Sequence, residues 1–190
     1  MAYKVCRKSK TDVYNNIKVD EYRLTMGRSA DYSKQNCAIA ATLDIVGEPW
    51  TLLIIRDAFK GIARFEQWQD SLGMARNVLA ARLKHLVAHG IFEMRIYCDR
   101  PKRHEYLLTD KGHELRPMIL HMLDWGKRNV YGEEVPATGL IHSCGHELHP
   151  VSHCAHCQEA LKRGDVTEKL NPDAPSIGEL YERSPEAAES

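Results

Sequence analysis

Nowhere does the sequence hold an apolar run of about eighteen residues, the length a membrane-spanning helix requires. Its first twenty residues, "MAYKVCRKSKTDVYNNIKVD", lack the apolar stretch of a secretory leader. Internal repeats are absent, which sets aside solenoids and propellers. No H-E-x-x-H pattern occurs, and neither Glu147 nor Glu159 stands in for one, so no enzyme is expected. These absences describe a cytoplasmic chain with no membrane partner. In that compartment six cysteines are expected to be thiols or metal ligands rather than a disulfide framework.

Net charge is missing as well, with 26 Lys and Arg against 26 Asp and Glu. A neutral total argues against nucleic acid only if the charge is evenly spread, and here it is not. Residues 1–30 carry seven basic and three acidic side chains, whereas residues 131–190 carry four and eleven. A basic front and an acidic end hint at a polyanion partner for the front part.

Periodicity fills the middle of the chain. "NCAIAATLDIVG" places Ile39, Leu43 and Val46 on one stripe, with Asn36 as N-cap and Gly47 as stop. "GEPWTLLIIRDAFKG" has Pro49 in its first turn and is apolar nearly all round, so it is expected at the centre. A short helix over Arg64 to Ser71 buries Phe65 and Trp68, and Gly73 breaks the chain. "MARNVLAARLKHLVAHG" carries Leu79, Leu83, Leu86 and Val87 on one face and ends at Gly90.

Two strands follow, "IFEMRIYC" and "HEYLLT", joined by the turn "DRPKR". Thr109 caps a long final helix to Tyr131, in which Pro117 imposes a kink or a late start. Four segments result: a basic arm over 1–32, a core domain over 33–131, a Cys/His-rich segment over 132–164 and an acidic, flexible tail over 165–190. The fold class is mainly α (α+β): a winged helix-turn-helix with a long C-terminal helix and a small Cys/His-rich extension.

A helix that enters the major groove needs polar side chains near its N-terminus, small residues where the backbone approaches, and an apolar back. Arg76 and Asn77, then Ala80 and Ala81, then the leucine stripe meet those needs in turn. Arg pairs bidentately with guanine and Asn with adenine, while Lys84 is expected at a phosphate. By itself this segment is better explained as an ordinary amphipathic helix with a solvated polar face. The hairpin shifts the balance, because Arg95, Arg100, Lys102 and Arg103 fall within nine residues at its tip, suited to phosphates or a minor groove. Lys4, Arg7, Lys8 and Lys10 of the arm are expected to add phosphate contacts.

The stretch "CAIAATLDIVGEPWTLLIIRDAFKGIARFEQWQDSLGMARNVLAARLKHLVAHGIFEMRIYCDRPKRHEYLLTDKG" resembles the HxlR-type winged-helix regulators, relatives of the MarR-like repressors. Gly47 with Trp50 to Asp57, Arg82 to Leu86 with Gly90, and Tyr106 to Gly112 carry the likeness, which spans Cys37 to Tyr131. It implies a sequence-specific transcriptional regulator, a repressor, acting as a homodimer joined through its first and last helices on a palindromic operator in double-stranded DNA. A small-molecule or oxidant effector is implied too. Cys37 aligns with a cysteine that some members use to sense oxidants, and a helix N-terminus favours the reactive thiolate. Ala38 stands where those sensors have proline, and a small core residue is the other explanation for Cys37.

The segment "HSCGHELHPVSHCAHC" holds three cysteines and five histidines in sixteen residues. Cys144, Cys154 and Cys157 with His142 make a closed tetrahedral set for a structural Zn2+, with His146 as the substitute fourth ligand. Redox-active or free thiols remain the alternatives. A rival function follows from that segment: a metal- or thiol-based sensor or enzyme, with the winged helix serving as a protein-interaction scaffold.

Overall fold

The computed structural model describes residues 30–183, apart from 133, 135, 137 and 138. Most of the basic arm, including Lys4, Arg7, Lys8 and Lys10, lies outside that range. The described residues form two compact units, 30–114 together with 174–183, and 115–173.

The first unit opens with α1 (Ala38–Val46), α2 (Thr51–Phe59), α3 (Phe65–Leu72) and α4 (Arg76–Ala88). Strands β1 (Phe92–Asp99) and β2 (Lys102–Leu108) follow, then one turn of helix, α5 (Asp110–His113). The leucine spacing of α4 does what period 3.6 dictates: Leu79, Leu83 and Leu86 are wholly buried. Ile54 and Ile55 of α2, Trp68 of α3 and Phe92 of β1 share that core. Trp68 also satisfies its indole N–H, which donates to the Ile54 carbonyl at 3.1 Å, while its ring lies tilted 5.8 Å from Phe92.

Two helix starts differ from expectation. Cys37, not Asn36, is the N-cap of α1, and no side chain caps it. α2 begins at Thr51 behind Trp50 rather than at Pro49. Nor is α2 central all round, since Trp50 and Leu53 are exposed while Thr51, Ile54, Ile55 and Asp57 are buried. A nine-residue helix against one core can bury only one face, whatever lies on the other.

The end of α4 follows the glycine signal. Gly90 adopts φ +65° and the Ile91 N–H donates back to the Leu86 carbonyl at 2.9 Å, a left-handed close to the helix. The hairpin turn is tighter than the five residues expected, because pairing persists to Asp99 opposite Lys102 and leaves only Arg100 and Pro101 at the tip. A bulge between Ile96 and Cys98 leaves Tyr97 without a pairing partner across the hairpin. Residues 63–64 add a short third rung, through a bridge of Arg64 to Glu105 and a 2.8 Å bond from Tyr106 N–H to the Ala63 carbonyl.

Thr109 caps as expected, accepting from Gly112 N–H at 3.1 Å and donating to the Gly90 carbonyl at 2.6 Å. Gly112 is required there, since a Cβ would press into the Ile91 carbonyl oxygen. The long helix is nevertheless interrupted. Pro117 has no N–H to give and its ring collides with the carbonyl four residues back, at His113, where α5 stops.

The second unit begins with α6 (Arg116–Gly126), which runs into a π-helical turn, Lys127–Tyr131. Beyond it come two small turns, closed by bridges of Ile141 to Glu147 and of His153 to Ala160. Among its described residues only Asp124 is buried. No described helix is long and apolar enough to cross a membrane.

The flexible tail expected over 165–190 needs correction for residues 174–183. Ser176 and Glu179 form a reciprocal capping box that starts α7 (Ile177–Glu182), and Ile177 is only 2% exposed. The N–H groups of Ile177 and Gly178 donate to the carbonyls of Gln35 and Ser33, and Tyr181 donates to Asp44 Oδ2 at 2.9 Å. One buried isoleucine and a capped turn suffice to return this end of the chain to the first unit.

Candidate nucleic-acid interface

α3 and α4 are joined by three residues, Gly73 to Ala75, with Gly73 in the left-handed region at φ +64°. This is a helix-turn-helix, and its mounting is polar as well as apolar. Asp57, fully buried, accepts from Ser71 Oγ at 2.7 Å and from Arg56 Nε at 2.9 Å, tying α2 to α3. Arg82 of α4 reaches Glu48 at 2.9 Å, fixing α4 to the turn before α2.

On the outward face of α4, Arg76, Asn77, Ala80 and Lys84 are exposed and Ala81 is half-buried. Opposite them lie the three buried leucines, so the split of faces agrees with the sequence reading. Arg76 is more constrained than its position suggests. Its guanidinium donates to Gln69 Oε1 at 2.9 Å and lies 4.9 Å from the Phe65 ring centre, held across α3.

Arg100, Lys102 and Arg103 gather at the exposed hairpin tip, as expected. Arg95 does not join them. It sits midway along β1, donates to Glu93 at 2.9 Å and faces Glu105 across the hairpin, so carboxylates offset its charge. The bulge explains where the cations do converge. Tyr97 accepts a hydrogen bond from Arg103, which raises the guanidinium pKa further, and the Arg64 guanidinium lies 4.3 Å above the Tyr97 ring. Sequence reasoning missed Arg64 and Tyr97. Arg64 precedes α3 rather than the wing, and only the Arg64 to Glu105 bridge brings it there.

Cys37 is exposed at the N-terminus of α1. The predicted zinc ligands are brought together only in pairs. Cys144 Sγ lies 3.6 Å from His146 Nδ1, and Cys144 N–H donates to His142 Nδ1 at 3.2 Å. Hydrogen bonds from the backbone N–H of Cys157, then of His156, and then from the Cys157 thiol hold the Cys154 thiol below its usual pKa. Among the described residues no three His, Cys, Asp or Glu side chains converge as metal ligands, so Cys144, Cys154, Cys157 and His142 do not form the expected closed set. Each turn closes on its own backbone hydrogen bonds, and each cysteine has its nearest polar partner within its own turn.

That segment is tethered to the helix before it. Lys127 pairs with Glu147, holding its carboxyl below the usual carboxylate range. His149 Nδ1 lies 3.5 Å from Asp124 Oδ1, and Ser152 Oγ lies 3.2 Å from His121 Nε2. Desolvation pushes Asp124 upward, but hydrogen bonds from Arg128 and His149 outweigh it and leave the carboxyl below its ordinary value.

Comparison with known proteins agrees with this geometry. Residues 45–134 match the family described as HxlR-like helix-turn-helix. An uncharacterized HTH-type transcriptional regulator of Mycobacterium tuberculosis is 39% identical over 136 residues, which span 71% of this chain and 86% of the relative. The HTH-type transcriptional regulator YdeP of Bacillus subtilis is 32% identical over 102 residues, 52% of this chain and 80% of its own.

Among solved structures, the candidate transcription factor PA1607 is 32% identical with a TM-score of 0.67, over 75% of this chain and 100% of the other. PA1374 of Pseudomonas aeruginosa, likewise a candidate transcription factor, is 31% identical with a TM-score of 0.53, over 76% and 99%. The fold is that of the winged-helix regulators. With most of the mycobacterial relative spanned and the helix-turn-helix inside the matched residues, the chain belongs to the HxlR-like helix-turn-helix family.

Proposed function

We propose that the chain is a sequence-specific, DNA-binding repressor that acts as a homodimer on a palindromic operator. One observation carries the reading: the exposed face of α4 offers Arg76, Asn77, Ala80 and Lys84 together, on a helix whose back is wholly buried. Asn77 reads a base edge, the alanines let the backbone approach, and Lys84 meets a phosphate. Arg76, steered by Phe65 and Gln69, reads guanine on leaving Gln69 or positions the helix on the backbone. Arg100, Lys102, Arg103 and Arg64 grip the flank from the wing.

Exposed apolar side chains support the dimer. Ile39, Leu43, Trp50 and Leu53 lie on α1, α2 and the turn between them, while Met122, Trp125, Val130 and Tyr131 lie on α6 and the turn after it. Each unit by itself thus exposes large apolar side chains of the kind that interaction surfaces use. Operator half-sites about one helical turn apart follow from two-fold symmetry. Cys37, an exposed thiol at a helix N-terminus, is where an oxidant effector would act.

Selection of bound duplexes from random oligonucleotides tests the proposal. A palindrome with two equal half-sites is the expected product, bound by two chains. Absence of any enriched sequence from a folded, dimeric sample would overturn it.

A further inference from the structure

We infer that Tyr97 is the positioning residue of a phosphate seat at the foot of the wing, where it holds the guanidinium groups of Arg64 and Arg103 for one backbone phosphate of a duplex. The seat rests on the DNA-binding reading above and names the chemical group that this part of the surface takes. Tyr97 owes its place to the bulge between Ile96 and Cys98, which leaves it unpaired across the hairpin and re-aims its side chain. Arg64 comes from the other side. Residues 63–64 pair with β2 on the edge away from β1, so the Arg64 side chain must span β2 to bring its guanidinium 4.3 Å above the Tyr97 ring. Arg103, on β2 itself, donates a hydrogen bond to the Tyr97 hydroxyl. One side chain thus gathers two cations, which repel each other, and an anion bound between them offsets that repulsion.

Charge, size and position name the ligand. Tyr97, Lys102 and Arg103 line a recess of about 170 Å3 together with Phe65, Glu66 and His104. Glu66 sets one carboxylate against Arg103, Lys102 and the overlying Arg64, so the balance favours an anion. His104 adds no charge at neutral pH, because desolvation and then Lys102 push its pKa down. The recess is smaller than the about 300–1,000 Å3 of small-molecule sites, which suits one group of a larger partner rather than a free ligand. Phe65, on its wall, also carries the Arg76 guanidinium 4.9 Å from its ring centre, which puts the recess between the wing and the N-terminal end of α4. A duplex laid on α4 passes its backbone there, and phosphate is the anion it presents. A guanidinium stacked on a ring still donates through its edge, the geometry that takes phosphate oxygens in pairs.

Duplex binding by the full-length chain tests the seat, with a duplex enriched by selection and an unrelated duplex as probes. Tyr97→Phe keeps the ring under Arg64 and removes the acceptor for Arg103, so it should weaken both duplexes alike by about three- to tenfold. Tyr97→Leu removes the π-face as well and should weaken both by about ten- to a hundredfold. Neither variant removes a charge, so the slope of log affinity against log salt should hold. Arg64→Ala and Arg103→Ala should each flatten that slope by about one charge. Tyr97→Leu added to the Arg64→Ala, Arg103→Ala double variant should change affinity little, because the ring then has nothing to hold.

Far-UV circular dichroism checks each variant for folding, and Tyr97→Phe decides the matter if Tyr97→Leu fails to fold. Affinity in the Tyr97 variants equal to that of the unaltered chain would overturn the seat and leave the repressor proposal standing. A full further loss in the triple variant would make Tyr97 a DNA contact in its own right and overturn its positioning role. Weakening confined to the selected duplex would place Tyr97 in base reading and overturn the phosphate assignment. No duplex bound by the unaltered chain would overturn the repressor proposal itself, and the seat with it.

Discussion

Residues 30–114 and residues 139–173 are both ordered, yet by opposite means. The first stretch buries Trp68, Phe92, Ile54, Ile55 and the three leucines of α4 completely, and even its buried carboxylate, Asp57, is satisfied by Ser71 and Arg56. The second buries nothing among its described residues and is tied down by polar pairs at Glu147, His149 and Ser152. In the first, most side chains depend on their neighbours. In the second, a few contacts at turn positions do the work and the remaining side chains are replaceable. The proposed presentation of α4 to a duplex belongs to the former regime, because base reading needs side chains held by a rigid back.

The sharpest way to break this comparison is Trp68→Ala. It should cost about 3–5 kcal/mol and unfold the first unit under mild denaturant, since it removes a buried ring and the bond to the Ile54 carbonyl. Denaturant melts followed by circular dichroism measure it. Ile177→Ala comes next, at about 2–5 kcal/mol, if the C-terminal residues truly belong to the core they touch. A change near zero would return residues 174–183 to the class of loosely held chain.

A smaller effect, on function rather than stability, is expected for Asn77→Ala. It should leave the melt unchanged while relaxing base preference at one operator position by about 1–3 kcal/mol in competition binding. Arg100→Ala, by contrast, should weaken all duplexes alike and flatten the salt dependence by about one charge.

Leu170→Ser should move stability by no more than about 0.5 kcal/mol, because an 84% exposed side chain has little to lose. A larger loss would reveal a hidden core in the second unit.

The smallest change is a pH effect at Asp124. Its folded pKa lies below the ordinary 3.8, so the tether to His149 and Arg128 contributes fully above that value. The contribution fades as pH falls through the lower, folded pKa. Hydrogen exchange at residues 146–153 should rise there, and Asp124→Asn should abolish the pH dependence.

Much of this was legible beforehand, for identifiable reasons. The α4 stripe, its Gly90 stop, the Thr109 cap and the break before Pro117 are local rules, each operating within one or two turns of chain. What escaped was non-local. Arg64 becomes a wing residue only through the Glu105 bridge, Arg95 leaves the wing only because Glu93 and Glu105 flank it, and Arg76 is steered by Gln69 seven residues earlier. α7 lies between these cases. Its Ser176 to Glu179 capping box was written in the sequence, but an acidic, proline-bearing composition concealed it.

The order of helices, the hairpin and the polar face of α4 were determined by the sequence alone, because side-chain period and caps act over distances shorter than a single element. Tertiary structure decided which cations cluster, which carboxylates cancel them, and where the end of the chain returns. Those outcomes depend on distances between residues far apart in sequence, and such distances exist only once the core has closed.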